Sequence, residues 1–391
     1  MVNTISLIVF WLSVFLIFWA MIGYPAFLFA LSKIKKSNNK KDYSYFPTVT
    51  ILIVAHNEER VIKQKLENVL KIKYPEEKIQ YVVASDNSSD ATDDIVNQFI
   101  KDHKDKRIQL YRSVEHKGKT NAQNEAQKLV DSEILVMTDA NSMMDEASVK
   151  ELVSSFSDPE IVYVSGRLAY GNINETATTG NEGTYWNLDL FMREIESEFQ
   201  TITAGNGAIY ACRNKSYFDF NPINCHDSAM PLHYALQGKR CIYNKDAIAT
   251  EKAGESEEDE LKRKIRMNRD ILHSMVPSLR VFNIFKYRWF SFFYFGHRTT
   301  RYSLWLNHSL ALISNIIICI TDFNNVFYLL TLIGQVLFII ISVAGYRLKF
   351  SNKIFSIIAY YGMTVYAQLK GVINICTGQA KPTWDKAEST R

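Results

Sequence analysis

Three polar stretches of this sequence each follow directly after a short apolar run. They are residues 55–58 (AHNE), 85–88 (SDNS) and 139–141 (DAN). Carboxylate and amide oxygens suit a ligand rich in hydroxyl groups, and they are the ligands that Mg²⁺ prefers. A bound cation can neutralise the charge that develops on a diphosphate leaving group. The residue types therefore predict a site in which Asp139 and Asn141 supply oxygens to a cation, although Asp139 taken alone also fits a helix or turn cap.

The apolar runs that precede these stretches have the length of buried β-strands, and segments with helical spacing lie between them. Strands are predicted over residues 49–54, 79–84, 108–111 and 134–137. Helices are predicted over residues 58–72, 90–99 and 118–130. This alternation predicts βαβ units and an α/β domain with a mostly parallel sheet flanked by helices. Ligands bind at the carboxyl ends of such strands, so we expect the three polar stretches to share one edge.

Composition excludes several classes of protein. The chain has 391 residues and a formal net charge of +4, which gives no case for a nucleic-acid partner. Its five cysteines are scattered without a C-x-x-C pair, so neither a disulfide framework nor a zinc site is indicated. The segment GKT at 118–120 resembles the end of a phosphate-binding loop, but Ser113 stands where that loop needs glycine.

Long apolar segments flank the polar part of the chain. Residues 7–31 carry no charge and are long enough to cross a bilayer, whereas a cleaved signal peptide has a shorter core and a basic start. Three more apolar stretches lie within residues 304–375, and the third is weaker because it ends with Gln368 and Lys370. Lysines follow the first segment, so the positive-inside rule predicts a multi-pass plasma-membrane protein with a cytoplasmic domain.

These patterns predict five segments. A transmembrane helix with a basic flank occupies residues 1–41, and the polar α/β domain occupies residues 42–270. Residues 271–303 mix aromatic and basic side chains, which is typical of an interfacial amphipathic segment; a buried amphipathic helix inside the domain is the alternative. Transmembrane helices follow at 304–376, and a tail at 377–391. Three full spans after the domain would place this tail on the opposite side of the membrane, unless the last segment is re-entrant or interfacial.

Taken together, the motifs resemble glycosyltransferase family 2, in its membrane-bound group of cellulose, hyaluronan and poly-N-acetylglucosamine synthases. The matching stretches are residues 49–62 (VTILIVAHNEERVI), 82–92 (VVASDNSSDAT), 116–126 (HKGKTNAQNEA), 136–142 (VMTDANS), 202–214, 226–252 and 297–305. Each motif alone is weak, but their order and spacing cover nearly the whole chain. The resemblance implies a GT-A fold, a nucleotide-sugar donor such as a UDP-sugar, and a divalent cation, Mg²⁺ or Mn²⁺. It also suggests a cytoplasmic tail, since Thr383-Trp384 resembles the family's terminal signature.

The resemblance also implies roles for individual residues. The positions that match the donor nucleotide site are Ala55, Asn57, Glu58, Asp86, Lys119 and Asp139. Asp139 and Asn141 match the metal site, and Asp227 matches the catalytic base. The acceptor side is expected at Gly205, Asn206 and His226. An inverting transfer needs one carboxylate to take the acceptor proton, which suits Asp227; alternatively, Asp227 caps the helix that begins there.

Three departures from the family pattern stand out. Asn141 replaces the usual second aspartate, and an amide oxygen is a poorer ligand for a hard cation. His226 replaces the glutamate before the base, where it can bind the acceptor, assist the metal or orient Asp227. The Gln-x-x-Arg-Trp motif is reduced to Arg263–Met267, without Gln and Trp, which puts processive synthesis in doubt. Arg263 and Arg266 can still clamp a diphosphate, unless they belong to a solvated helix face.

The sequence therefore predicts a membrane-anchored inverting glycosyltransferase. Its acceptor is expected to be a lipid-linked or growing glycan in capsular, exopolysaccharide or cell-surface glycan synthesis, with other polysaccharide-assembly proteins as possible partners. One alternative is a single-addition transferase acting on a lipid-linked oligosaccharide. The other is a catalytically silent membrane scaffold, which only Asn141 and His226 support.

Overall fold

The computed structural model describes residues 2–34, 39–172, 177–252, 256–348 and 352–383. Eight strands within these residues form one sheet. They are β1 (Val49–Ala55), β2 (Ile79–Ser85), β3 (Ile108–Arg112), β4 (Ile134–Asp139), β5 (Met143–Met144), β6 (Ile161–Tyr170), β7 (Ile209–Arg213) and β8 (Arg240–Glu251). All four strands expected from the sequence are present, and each begins at the predicted residue.

Sixteen α-helical segments accompany the sheet in the described part of the chain. At the amino-terminal end lie α1 (Val2–Phe18) and α2 (Tyr24–Leu31). Those of the sheet domain are α3 (Ile62–Val69), α4 (Thr92–Asp102), α5 (Lys119–Gln127), α6 (Ser148–Ser154), α7 (Ala177–Phe199), α8 (His226–Leu236) and α9 (Glu257–Met267). Four short helices follow, α10 (Ile271–Met275), α11 (Ile284–Tyr287), α12 (Trp289–Phe293) and α13 (Thr300–Tyr302), and then the longer α14 (Leu304–Thr321). The last two are α15 (Val326–Leu348) and α16 (Lys353–Cys376).

The sheet has the strand order β3-β2-β1-β4-β7-β6-β8-β5. The first four strands run parallel, as the alternation of strands and helices predicts. β7 is antiparallel to both β4 and β6, while β6 and β8 pair in parallel and β5 pairs antiparallel with β8. The α/β fold with a helix-flanked sheet is confirmed, but the sheet is mixed, and only its first half is uniformly parallel.

Both faces of the parallel half are covered, because side chains alternate along each strand. On one face, Ile51 and Ile53 of β1 pack with Leu66 of α3 and Val96 of α4. On the other face, Leu52 of β1 belongs to a second cluster that includes residues of α5 and α8. The apolar runs of the sequence are therefore scaffold, and they hold the polar strand ends along one edge.

Three helical stretches in the described residues are long and apolar enough to cross a membrane. They are Asn3–Leu31, Leu304–Thr321 and Val326–Leu348. The first comprises α1, one π-helical turn and α2. α1 packs against α14, with Phe10 of α1 touching Ala311 and Ile318. Most of α15, in contrast, exposes its apolar side chains.

The third apolar stretch after the domain forms α16, which is not among these candidate spans. α16 packs against α15 at one end and against α9 and α7 of the domain at the other. A Cβ added at Gly371 would lie 2.6 Å from the backbone oxygen of Asn268, so this packing is close. The described residues thus hold one candidate span before the domain and two after it. The segment after α16, at Gln379–Thr383, lies beside the domain and borders the cavity described below.

The segment expected at the membrane interface, residues 271–303, is a series of short helices. One set of its side chains packs on the domain, with Phe290 against Leu232 of α8 and Phe293 against α7. Another set is exposed to solvent in the isolated chain, including Leu279, Ile284, Phe285 and Trp289. The segment is thus amphipathic, and its binding to a membrane surface stays a prediction.

Candidate active site

A cavity of about 770 Å³ opens at the carboxyl ends of β1 and β4. Its walls contain Glu58 beyond β1, Asp139 and Asn141 at the end of β4, Asp227 at the start of α8, and a row of basic residues. The basic residues are Lys119, Arg193, Lys252, Lys262, Arg263, Arg266, Arg269, Arg298, Arg301 and Lys381. A cavity with this lining suits a ligand that carries both hydroxyl groups and phosphate.

Lys119, Asp139 and Asp227 meet at one point of this cavity. The Lys119 ammonium donates a hydrogen bond to Oδ1 of Asp139 and another, 3.4 Å long, to the carbonyl of Gly207. A Cβ added at Gly207 would lie 2.9 Å from Lys119 Nζ, 3.6 Å from Asp139 Oδ2 and 3.7 Å from Asp227 Oδ2. Burial lowers the pKa of Lys119, but the carboxylates of Asp139 and Asp227 outweigh it and raise that pKa overall.

Asp227 lies in the first turn of α8 and is not its cap. The capping position belongs to Cys225, which makes no side-chain capping bond. The backbone carbonyl of Asp227 accepts a 2.7 Å hydrogen bond from the N–H of Gly205. The first turn of a helix favours a negative charge, and the Asp227 side chain borders the cavity from that turn. This geometry disfavours the capping alternative for Asp227.

Gly205→Ala is expected to displace Asp227. An added Cβ would lie 2.0 Å from Oη of Tyr163, which cannot retreat easily because its buried ring stacks on Tyr210. Overpacking of this kind costs about 1–3 kcal/mol in the free energy of unfolding. We expect lower thermal stability and slower turnover, measured beside Gly334→Ala, where an added Cβ meets open space. Equal effects of the two substitutions would contradict this role of Gly205.

His226 is buried and engaged on both ring nitrogens. Nδ1 lies 2.5 Å from Oε1 of Gln123, and Nε2 lies 3.0 Å from both Oδ1 of Asn124 and Oη of Tyr217. Burial, together with the charge of Lys119, lowers the pKa of His226 to about 3, so the ring is neutral at physiological pH. The ring ties α8, which carries Asp227, to α5, which carries Lys119. Among the three roles considered for His226, this arrangement favours orientation of Asp227.

The other two residues expected on the acceptor side form part of the same scaffold. Asn206 borders the cavity but is buried, and its amide oxygen accepts hydrogen bonds from the N–H groups of Ala208 and Ile209. Its amide nitrogen donates to the carbonyl of Gly166. Gly205 and Asn206 thus shape the loop that leads into β7 and holds the backbone of Asp227.

The residues expected to bind the nucleotide fall into two groups. Glu58, Lys119 and Asp139 border the cavity, whereas Ala55, Asn57 and Asp86 are outside its lining. These last three residues support the site indirectly, through hydrogen bonds to neighbouring loops. The buried Asp86 carboxylate accepts hydrogen bonds from the N–H groups of Lys117 and Gly118, at 3.1 and 2.8 Å. It therefore holds the loop before α5 in place in this conformation.

Two histidines beside Asp86 had no predicted role. The rings of His56 and His116 stack with their centroids 3.8 Å apart, and Nδ1 of His116 lies 2.7 Å from Oδ2 of Asp86. The three side chains are close enough to hold a metal ion. Stacked rings, however, direct their nitrogen lone pairs side by side instead of towards one point, which disfavours joint coordination. His56 borders the cavity, and a flat polar surface of this kind is better suited to contact with a planar ring.

The two arginines expected to clamp a diphosphate differ in their surroundings. Arg263 is held by Glu260 through two hydrogen bonds of 2.7 and 2.9 Å. Burial and the neighbouring charges of Arg263 and Arg269 lower the pKa of Arg266 to about 10, and Asp139 acts in the opposite direction. Both arginines border the cavity, but Arg263 is already paired with Glu260 whereas Arg266 feels the charge of Asp139, so Arg266 is the better placed of the two for phosphate.

A buried lysine beneath the site also escaped prediction. Lys65 of α3 is fully buried, and its ammonium donates hydrogen bonds to Thr138 Oγ1, at 2.8 Å, and to the carbonyl of Ser142. These two acceptors flank the Asp139–Asn141 turn, so Lys65 holds both ends of it. The only sequence signal was a lysine within the apolar stripe formed by Ile62, Leu66 and Val69.

Comparison with known proteins identifies relatives of the sheet domain. Residues 50–219 match the family model described as glycosyl transferase family 2. The chain is 31% identical over 182 residues to the probable glycosyltransferase YdaM of Bacillus subtilis, an alignment that covers 44% of this chain and 42% of the relative. It is 30% identical over 164 residues to the β-monoglucosyldiacylglycerol synthase of Trichormus variabilis, covering 41% and 35% of the two chains. It is 29% identical over 128 residues to the poly-β-1,6-N-acetyl-D-glucosamine synthase of Staphylococcus epidermidis, covering 32% and 30%.

The solved structure of mannosyltransferase PcManGT from Pyrobaculum calidifontis, in complex with GDP-Man and Mn²⁺, is similar over nearly its whole length. Its TM-score is 0.73 at 17% sequence identity, and the match covers 97% of this chain and 100% of that one. At this identity the likeness concerns the fold, and it includes the helices at both ends of the chain. In contrast, the curated relatives are matched over less than half of their own length.

Proposed function

Because the chain belongs to glycosyltransferase family 2 and has a GT-A-like fold, we propose that it transfers a sugar from a nucleotide diphosphate donor to a hydroxyl group of an acceptor held at the membrane. The observation that carries this proposal is the convergence of Lys119, Asp139 and Asp227 around Gly207 in the large cavity. A silent scaffold would have no need of this arrangement.

The proposed reaction is an inverting displacement at the anomeric carbon. The Asp227 carboxylate takes the proton of the acceptor hydroxyl as its oxygen bonds to the anomeric carbon. The bond from that carbon to the diphosphate breaks at the same time, and the nucleoside diphosphate leaves with the electron pair. Lys119 and Arg266 stabilise the negative charge that the leaving group gains.

The site has features that fit a hard divalent cation. The Asp139 carboxylate is partly exposed, Asn141 borders the same cavity two residues later, and carboxylate and amide oxygens both suit such an ion. Asp139 pairs with a cationic group, the Lys119 ammonium, which is consistent with a cation at this carboxylate. Mg²⁺ or Mn²⁺ bound at Asp139 and Asn141 would supply charge neutralisation to the leaving diphosphate. Because Asn141 is neutral, we expect weaker cation binding than a pair of aspartates would give.

The finer assignments also remain proposals. We propose a UDP-sugar donor, a plasma-membrane location with the catalytic domain in the cytoplasm, and an acceptor that is a lipid-linked or growing glycan. Relatives named for the synthesis of β-monoglucosyldiacylglycerol and of poly-β-1,6-N-acetyl-D-glucosamine support this range of acceptors. Met267 stands where processive relatives are expected to carry tryptophan, which favours the addition of single sugars. A role among other polysaccharide-assembly proteins is consistent with this proposal.

Release of nucleoside diphosphate from a panel of UDP- and GDP-sugars tests the proposal. The purified full-length protein would be assayed in detergent with Mn²⁺ or Mg²⁺ and extracted membrane lipids as acceptors. We expect release from one sugar donor, lost with a chelator and reduced about 10²-fold or more in Asp139→Asn, because the leaving group then lacks stabilisation. Asp145→Asn, an exposed carboxylate on the same loop, serves as the matched control. Binding of a nucleotide sugar without release, with all acceptors present, would favour the scaffold alternative.

A further inference from the structure

Part of the cavity is lined by arginines that are far from Asp139 in the sequence. Arg193 comes from α7, and Arg298 and Arg301 come from the segment just before α14. We call the part of the cavity that these three residues line the arginine pocket. Asp189 is placed among them, with one oxygen 2.6 Å from Nη2 of Arg193 and the other 3.4 Å from Nη1 of Arg301.

Arg193 has more buried hydrogen-bond donors than acceptors to receive them. The residue is 5% exposed, and its guanidinium lies over the ring of Trp186 at 5.1 Å. Within the described part of the chain, its Nε and Nη1 atoms are buried without a hydrogen-bond partner. A buried polar group left unpaired costs about 1–3 kcal/mol, and more when it is charged. Since Arg193 borders the cavity, a ligand with acceptor oxygens can remove this cost.

Arg298, which borders the same cavity, shows the same pattern. Its Nη1 donates a 3.2 Å hydrogen bond to Oη of Tyr302, and the guanidinium lies 4.4 Å from the centre of that ring. Its Nε is also buried without a hydrogen-bond partner among the described residues. Two guanidinium groups with vacant N–H donors thus border one cavity, and planar guanidinium groups match phosphate oxygens in pairs.

The arginine pocket lies at the depth where the candidate spans meet the domain. Arg301 is in α13, and α14 begins three residues after it. On the neighbouring helix, Tyr24, which lies within the first candidate span, approaches His297, with ring centroids 6.1 Å apart. A lipid whose chains enter the bilayer beside these helices would therefore present its head group at the pocket.

The arginine pocket belongs to the same cavity as the proposed reaction centre at Asp227. Asp270 borders the same cavity, and desolvation raises its pKa; Arg298 acts to lower that pKa, whereas Asp227 acts to raise it. A head group held by Arg193 and Arg298 would thus lie in the same cavity as Asp227, the base that takes the acceptor proton.

We propose that the arginine pocket binds the phosphate of a lipid acceptor's head group and so selects phosphate-bearing lipids over neutral ones. This inference rests on the proposed transferase function and deepens it by naming the acceptor class. A neutral diacyl or isoprenoid alcohol would leave the N–H groups of Arg193 and Arg298 unpaired. A phosphate would pair them and place the lipid for transfer near Asp227.

The test compares three probes on the full-length protein in detergent: farnesyl phosphate, farnesol and inorganic phosphate. Each charge-assisted hydrogen bond contributes enough to change affinity about tenfold or more. We expect farnesyl phosphate to bind at least about tenfold more tightly than farnesol or inorganic phosphate. Arg193→Gln and Arg298→Gln should each remove this preference, while the exposed Arg280→Gln of the same membrane-side segment should keep it. Thermal unfolding of each variant checks that the fold is intact.

The outcomes separate this inference from the proposed function. Equal binding of farnesyl phosphate and farnesol by the wild-type protein would overturn the lipid-phosphate assignment without using any variant. Equal binding of inorganic phosphate would overturn it in favour of a soluble anion, and loss of the preference in Arg280→Gln would point to surface charge instead. Binding of a nucleotide sugar is measured in parallel on the wild-type protein. Its absence would count against the transferase function, whereas its presence with no lipid preference would count against the acceptor class alone.

Discussion

Asp227→Asn is expected to lower the rate of sugar transfer by about 10²–10⁴-fold, the usual contribution of a general base. The amide has nearly the same shape as the carboxylate but cannot take the acceptor proton. Its backbone bond to Gly205 and the network around His226 involve other atoms, so the local structure should persist. We therefore expect donor binding near the wild-type level, and the loss should appear in kcat.

Single-turnover transfer and binding of a nucleotide sugar, both measured on the same preparation, would check this expectation. Asp219→Asn is the matched control, because that carboxylate is exposed and lies outside the cavity lining. A variant that transfers sugar within a few-fold of wild type would remove Asp227 from the base role. A variant that loses donor binding instead would assign Asp227 to the nucleotide side.

Lys65→Met is expected to change how stability depends on pH. Burial lowers the pKa of Lys65 from 10.5 to about 7, against the opposing effects of Asp139 and Glu251. Between about pH 7 and pH 10 the unfolded chain therefore binds one more proton than the native protein at this position. The contribution of Lys65 to stability thus rises with pH in this window, by at most about 1.4 kcal/mol per pH unit.

Methionine has no ionisable group, so the variant should lack this rise. Chemical unfolding of wild type and Lys65→Met at pH 7, 8 and 9 should show the wild-type protein gaining stability relative to the variant. Lys63→Met, an exposed lysine of the same helix, should follow the wild-type dependence. Parallel pH profiles for wild type and Lys65→Met would contradict a depressed pKa in the folded state.

The same substitution should weaken binding of Mn²⁺. Without the ammonium, the carbonyl of Ser142 and the hydroxyl of Thr138 lose the donor that holds the Asp139–Asn141 turn. We expect a lower affinity for Mn²⁺, read directly from the electron paramagnetic resonance signal of the free ion. Affinity equal to that of wild type would mean that the turn is held by its own backbone.

The parallel half of the sheet could be predicted because its strands are uninterrupted apolar runs. β1, for example, is buried along its whole length, so its sequence carries a clear signal. β6 and β8 carry a weaker one, since β6 contains Gly166 and Arg167, β8 contains Lys245 and Asp246, and their pairing has register shifts. Periodicity is lost at such irregularities, and the mixed half of the sheet was missed.

The residues of the site divide in the same way, into those that the sequence predicts and those that it does not. Asp139 comes just after a predicted strand and Lys119 lies at the start of a predicted helix, so both could be named in advance. The burial of Lys65 and His226 depends on partners far away in the chain, Thr138 and Gln123 among them. Local pattern contains no information about such distant pairs. The arginine pocket was missed for the same reason, because its members are separated by about a hundred residues.

The pairing of α1 with α14 has a consequence for the order of synthesis. The face of α1 that contacts α14 includes Phe10 and also buries Ser6 and Ser13, but residues 32–303 are translated between the two helices. At ~5–20 residues per second, the ribosome needs roughly 15–50 s to reach α14. In the proposed membrane location, α1 is without its partner during this time, and its serine hydroxyls can be satisfied by its own carbonyls. The sheet domain can thus fold while α1 is still unpaired, and the contact between α1 and α14 forms only afterwards.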